Sequence, residues 1–424
     1  MARTVIGLSR TGDRVQVTLD RAQLNYTYDT VEVDLSTLPG TTLMERGEAI
    51  VALLRQQDPV RQGIESFLNL PPDAEPTPLY FHVRSETADA VAWEQMFAKP
   101  LGFWALDQRC PMGRIAERVA TVRGRGFAPP LRVVAVLSAA GRDPRPQLDA
   151  LRTSIANAKL PVRLHVIAGD DELVAAVDGP GETAELTTGT SPELCRQIAA
   201  ARPHVLHLLC HGMTVAGERT LAFASVGDID GEVDEAGSIS VPIKDLAREL
   251  QTCDPWLVVL AACQTADASA GERAFAHDLV SLGVTATIGM RRLVDLKDTD
   301  SFCRELYPEV LAAVRTAVDP AHPGEQTIEW ACVLTGPRKV MGGPDPSKVD
   351  SWLDPVLYVQ SEDLRVYTQT SVMSAEDYSN LQGRLDQLRS YLATADPQST
   401  PPPVIADVRD KIADGEAILG QAGV

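Results

Sequence analysis

Alternating apolar and polar positions open the chain, at Val15, Val17 and Leu19 and again at Val31, Val33 and Leu35. This period of two, broken by turn-rich pieces, predicts a few antiparallel strands over residues 4–36. From Thr42 the spacing becomes helical, with Leu43, Ile50, Leu53 and Leu54 on one stripe. Residues 71–78 read as a linker and 79–83 as a further strand. The stretch 91–96 leads into 101–106, and Pro129-Pro130 marks the expected end of a mixed α+β N-terminal region, 1–129.

After Pro130 the rhythm turns to strand, helix, strand. Buried strands are expected at 132–137, 162–167, 205–212, 256–262 and 285–290, with a last one at 355–359. Between them fall helices at 146–158, 243–250, 272–282 and 299–317. Another helix starts at Thr190-Ser191-Pro192-Glu193, a capping box, and ends near Ala201, while Gly283 is the C-terminal stop of the 272–282 helix. Residues 221–224 and 238–241 read as a hairpin. Such alternation predicts an α/β fold, a mainly parallel sheet with right-handed crossovers and helices on both faces, over 130–360. Two helical stretches around Pro401-Pro402-Pro403 make 361–424 a helical extension.

The two expected strands at 205–212 and 256–262 each stop at a group able to do chemistry. The first ends in Cys210-His211-Gly212, the second in Ala262-Cys263-Gln264-Thr265. Working residues of open parallel sheets collect at the carboxyl edge, so an imidazole and a thiol far apart in sequence are brought within reach of each other. A neighbouring imidazole raises the thiolate fraction of a cysteine. Gly212 lets the backbone approach a carbonyl closely, and the N–H of Cys263 is a natural oxyanion donor. A buried core thiol and a core histidine fit the same two positions, and Cys210 reads as a core thiol pointing away from His211.

Composition narrows the partners. The 424 residues carry a net charge of −19, which speaks against nucleic acid and anionic membrane surfaces. No apolar run reaches membrane-spanning length and the N-terminus lacks a signal-peptide core. Seven cysteines without a CxxC pair suggest free thiols in a reducing cytoplasm, and zinc-ligand spacing is absent, so neither metal nor cofactor is expected.

His-Gly after one apolar strand and Ala-Cys-Gln-Thr after another resemble the caspase-like cysteine peptidases of the CHAT type, relatives of separase. The likeness continues through Gly271-Glu272, Gly283 and Ile288-Gly289-Met290, then Phe302, Leu306 and Tyr307, and the 352–358 stretch Trp-Leu-Asp-Pro-Val-Leu-Tyr. Upstream, Trp93-Glu94 and 101–106 resemble the family's N-terminal half, so the likeness spans about 78–360. Gln264 stands where an acid is frequent. The resemblance implies a caspase-like sheet, His211 as general base, Cys263 as nucleophile, and an oxyanion hole at the N–H groups of Gly212 and Cys263. It further implies an acid reading a basic P1 side chain after the next strand, for which Asp295 and Asp298 are the candidates. Acids at a helix N-terminus are favoured by its dipole whatever the substrate, and that reading stays open.

The implied function is a cytoplasmic cysteine endopeptidase that cuts a protein partner, with relatives serving as switches in bacterial immunity or cell death, for example by activating gasdermin-like pore formers. A catalytically silent scaffold that binds a partner is the second hypothesis. A third is a peptidase held inactive until an activating protein binds, with 361–424 as the docking or inhibitory piece. The five carboxylates between Asp228 and Glu235 fit a solvated hairpin loop or one folding over substrate, and less well calcium, because the glycine is misplaced for an EF-hand. His204 and His207 read as packing or surface groups, His277 sits inside a helix, and Gly179-Pro180-Gly181 lacks the residues of a phosphate loop.

Overall fold

The computed structural model describes residues 3–11, 14–21, 31–33, 38–116, 124–187, 189–230, 237–261, 274–292, 296–322, 324–368 and 375–394, with a few positions near the C-terminus. Twelve of its strands form one sheet. From one edge these are Glu182–Leu186, Val162–Ala168, Leu131–Leu137, Val205–Leu209, Leu257–Leu260 and Ala286–Met290, all mutually parallel. Pro355–Val359 follows antiparallel to Ala286–Met290. Met112–Ile115, Leu79–Val83 and Thr4–Thr11 continue parallel to Pro355–Val359, and Arg14–Arg21 and Val31–Val33 close the far edge as antiparallel strands. The mainly parallel α/β sheet expected from the strand–helix rhythm is present. It runs through Pro129-Pro130, because Tyr358 pairs with Arg114 across that position.

The period of two along each parallel strand separates two cores. Val134, Val136, Leu206, Leu208, Val258 and Leu260 face one side, against helices Ser191–Ala200, Ile243–Cys253 and Phe275–Ser281. Val133, Ala135, Val205, Leu209, Leu257 and Val259 face the other, against Arg145–Asn157, Leu296–Ala317 and Cys332–Gly342. A strand buried on both faces has no polar face to display, which is why these strands read as continuous apolar runs.

Four readings of the sequence change. The expected 205–212 strand stops at Leu209, and His211 opens a separate strand, His211–Val215. Helix Asp58–Leu68 lies where no element was expected; Pro59 starts it and the Gln57 side chain accepts the Val60 N–H at 2.7 Å. Pro355–Val359 is not the last strand, since Leu364–Thr368 follows and pairs with Glu325–Ile328 and Arg125–Phe127. At Thr190 the helix starts as expected, but the Thr190 hydroxyl donates to the Glu193 carboxylate at 2.6 Å instead of accepting a backbone N–H. The complete capping box lies at Thr42 and Glu45.

One buried ionic cluster joins the segments before and after Pro130. Arg114 is 1% exposed and donates to Glu94 Oε1 at 3.0 Å, Glu94 Oε2 at 2.7 Å and Asp89 Oδ1 at 2.8 Å. Tyr358 donates its hydroxyl to the same Asp89 oxygen at 2.7 Å. Burial alone would raise the Glu94 pKa, but the Arg114 charge and hydrogen bonds outweigh it and hold the group down at about 2. A depressed folded-state pKa means stability present above the usual value of 4.5 and lost as pH falls towards about 2. Removing one partner of a buried pair leaves the other charge uncompensated. Arg114→Met is therefore expected to lower unfolding free energy by about 3–5 kcal/mol in denaturant titrations at neutral pH. The deficit relative to wild type should shrink as pH drops through the acid range, and a pH-independent deficit contradicts the electrostatic account.

Candidate active site

The order of the parallel strands creates a crevice. From Leu131–Leu137 the chain adds Val162–Ala168 and Glu182–Leu186 on one side, then crosses back to place Val205–Leu209 and Leu257–Leu260 on the other. The direction of winding reverses between Leu131–Leu137 and Val205–Leu209, and at such a reversal the loops leaving the carboxyl ends diverge and leave room for a ligand. His211 follows one of these strands and Ala140 follows the other.

The His211 imidazole spans the crevice, with Nε2 2.9 Å from the Ala140 carbonyl oxygen. A carbonyl only accepts, so Nε2 carries a proton, and the tautomer this selects for the neutral form has its lone pair at Nδ1. The loop holding Ala140 is itself pinned, since Ser138 N–H donates to Leu209 at 3.1 Å and Ala224 N–H donates to Ser138 at 2.9 Å. A cleft of about 370 Å³ beside it is lined by Ala139, Ala140, Arg142, Asp170 and Asp228.

His211–Val215 pairs with Glu218–Phe223, and that strand with Ile239–Pro242, in a small antiparallel sheet. The hairpin turns through Ala216 at φ 51° and Gly217 at φ 79°, the positive pair that a two-residue type I′ turn requires. Such a turn makes Val215 and Glu218 a hydrogen-bonded pair, and pairing alternates from there. Gly212, opposite Leu221, falls on the non-bonded phase, so its N–H points away from Glu218–Phe223. That direction suits an oxyanion donor.

The second half of the expected dyad comes from the neighbouring strand. Leu260 pairs with Leu208, and Ala261 N–H donates to the Leu208 carbonyl at 2.9 Å, so both strands reach the carboxyl edge in step. Cys263 lies outside the described residues, as does Asp295. Asp298 is half-buried in the first turn of Leu296–Ala317, a helix that rises from the carboxyl end of Ala286–Met290.

The other singled-out residues have structural roles. Asp228 Oδ2 accepts from the backbone N–H and the hydroxyl of both Ser225 and Ser238, at 2.6–2.9 Å. Against the upward pull of partial burial, these donors hold its carboxyl at about 2, so it ties the base of the acidic loop; residues 231–236 lie outside the described residues. Burial, with Arg132 and Arg202 nearby, lowers His204 to about 3, and burial alone does the same to His207. Both are core groups: His204 accepts the Arg132 N–H at 2.9 Å, and His207 bonds Gln147 and Tyr307. Neither partner of His207 carried a periodicity signal, and only its position in an apolar run hinted at one. Burial also raises the thiols of Cys195 and Cys332 to about 12 and Cys253 to about 11, so they are poor nucleophiles at neutral pH. Among the described residues, no helix is long and apolar enough to cross a membrane, and no group of three or more His, Cys, Asp or Glu is placed to hold a metal ion.

Residues 130–322 match the family model of the CHAT domain, a family of caspase-like cysteine peptidases. Among solved structures the chain is similar to the complex of Porphyromonas gingivalis RgpB pro- and mature domains. That likeness has a TM-score of 0.39 and 11% sequence identity, over 74% of this chain and 68% of that one. No curated protein matches the sequence.

The Ala140 carbonyl makes the protonation of His211 a checkable property of the resting protein. Nitrogen-15 imidazole spectra at neutral pH are expected to show the Nε2–H tautomer for His211. An Nδ1–H tautomer rules out a lone pair facing away from Ala140.

Proposed function

We propose, on the premise that residues 130–322 match the CHAT domain, that the protein is a cysteine endopeptidase working through His211 and Cys263. The observation that carries the reading is the His211 imidazole, held at the switch-point crevice by the Ala140 carbonyl with Nδ1 left as the acceptor. The strand next to it leads towards Cys263, while Cys210, the described thiol at the same edge, is buried in the core.

In this reading Nδ1 of His211 takes the thiol proton as the Cys263 sulfur adds to the scissile carbonyl. The negative oxygen of the tetrahedral intermediate is received by the N–H groups of Gly212 and Cys263. Collapse returns the proton to the leaving amine and leaves an acyl-enzyme, which a water deprotonated by His211 then hydrolyses. Every step is accounted for by side chains and water, so no cofactor is required. Asp298 or Asp295 pairs with a basic P1 side chain. The substrate is a protein partner, cut in the cytoplasm as a switch in bacterial defence or cell death, and a second protein relieves inhibition.

Labelling separates this reading from a silent scaffold. Iodoacetamide and a peptidyl-lysyl acyloxymethyl ketone are expected to modify the wild-type protein at Cys263, located by mass spectrometry, and to leave Cys263→Ala unmodified, because the other described thiols have raised pKa values or lie buried. His211→Ala is expected to slow modification by the ketone about 100- to 10,000-fold. Equal labelling of wild type and Cys263→Ala favours the scaffold. A preference for a leucyl over a lysyl ketone removes the role given to Asp295 and Asp298.

A further inference from the structure

A second polar system lies beneath the crevice and takes no part in the proton transfers above. Gln147 and His207 are 0% exposed and Tyr307 is 1% exposed, in a core built mainly of apolar side chains. Buried polar groups persist only where their hydrogen bonds are made, and here one set of donor directions satisfies all of them. Asp300 as a carboxylate only accepts, so the amide nitrogen of Gln147 faces it, at 3.1 Å. The amide oxygen of Gln147 then faces His207, whose Nε2–H donates to it at 2.7 Å. His207 Nδ1 is left as acceptor, and the Tyr307 hydroxyl donates to it at 2.6 Å. The chain Tyr307–His207–Gln147–Asp300 thus has a single polarity.

Its members connect the elements that matter to the site. His207 is on the strand that leads to His211. Gln147 is in the first turn of Arg145–Asn157, directly after the loop whose Ala140 carbonyl orients the imidazole. Asp300 and Tyr307 are on Leu296–Ala317, two and nine residues beyond Asp298. That helix packs on Arg145–Asn157 through an apolar contact, to which the Gln147–Asp300 bond adds direction at its first turn. Resting on the peptidase reading, we propose that Gln147 and His207 are positioning residues. Their hydrogen-bond chain sets the height and rotation of the first turn of Leu296–Ala317, and so fixes where Asp298 meets the substrate side chain relative to His211. The proposal concerns binding of the P1 group and leaves the reactivity of the thiol to the Ala140–His211 bond.

The test uses a reversal of polarity in the full-length protein. Gln147→Glu keeps an acceptor for His207 Nε2–H but sets two carboxylates against each other. Adding Asp300→Asn restores a donor–acceptor match at that contact. For the peptidyl-lysyl acyloxymethyl ketone, Gln147→Glu is expected to raise KI about tenfold while kinact and the iodoacetamide rate stay at wild-type values. The double variant is expected to recover the wild-type KI. Hydrogen–deuterium exchange of the amides at 298–302 is expected to quicken about tenfold in the single variant and to return in the double. A loss shared by KI, kinact and the iodoacetamide rate identifies general destabilisation and overturns the positioning role. So does unchanged exchange in Gln147→Glu, or a double variant no better than the single. Should no ketone react with the wild type, the peptidase reading fails by itself, and the exchange measurements still decide whether the chain places that turn.

Discussion

Three parallel strands in step are the constraint on which the rest depends. Leu137 sits opposite Leu209, and Leu208 opposite Leu260, so the strands from Leu131, Val205 and Leu257 finish at one level of the sheet. A slip of one residue in any of them exchanges its two faces, moving Leu206 and Leu208 out of one core and His207 out of the other. Both faces are buried, so the hydrophobic effect opposes such a slip at every position of the ladder. The common level has a chemical consequence. Loops leaving it are short of partners at the winding reversal, and the Ala140 carbonyl and the His211 ring fill that gap with one another.

Polar groups inside this protein act as locators more than as sources of stability. Replacing a buried ion pair with apolar groups of equal volume is often neutral or stabilising, so Arg114 and its acids are poorly explained as glue alone. They specify which edge meets which: Arg114 belongs to Met112–Ile115, Tyr358 to Pro355–Val359, and Asp89 and Glu94 to the two short helical turns that precede Met112. An apolar seam there admits neighbouring registers, whereas a guanidinium bonded along both edges of its fork admits one. The polar chain through His207 follows the same logic on the opposite face, where it joins two helices and a strand through atoms with no alternative direction.

Much of the architecture is written in local pattern. Continuous apolar runs bounded by turn residues marked the parallel strands, the period of two marked the N-terminal antiparallel strands, and the stripe of Leu43, Ile50, Leu53 and Leu54 marked the helix Leu43–Leu54. These features follow from burial and capping, which act within a few residues of chain, and the order of the motifs was enough to indicate the CHAT family. The helix at Asp58–Leu68 went unread although Val60, Ile64 and Phe67 repeat at helical spacing behind Pro59 in its first turn.

What needed three dimensions was every relation between distant segments. The break at Cys210 is invisible in an apolar run, yet it moves His211 from the end of one sheet to the start of another, where a carbonyl from the 139–144 loop can hold it. The sheet continues past Pro129-Pro130 because Arg114 and Tyr358 pair, an event that no pattern within either segment encodes. Gln147, His207 and Asp300 are separately unremarkable residues, and their direction emerges only when packing has placed them. Residue type and spacing determine which strands and helices form, since those depend on neighbours in the chain. Hydrogen bonds between segments decide what the functional groups face, since a donor and an acceptor far apart in sequence acquire a relative position only from the folded core.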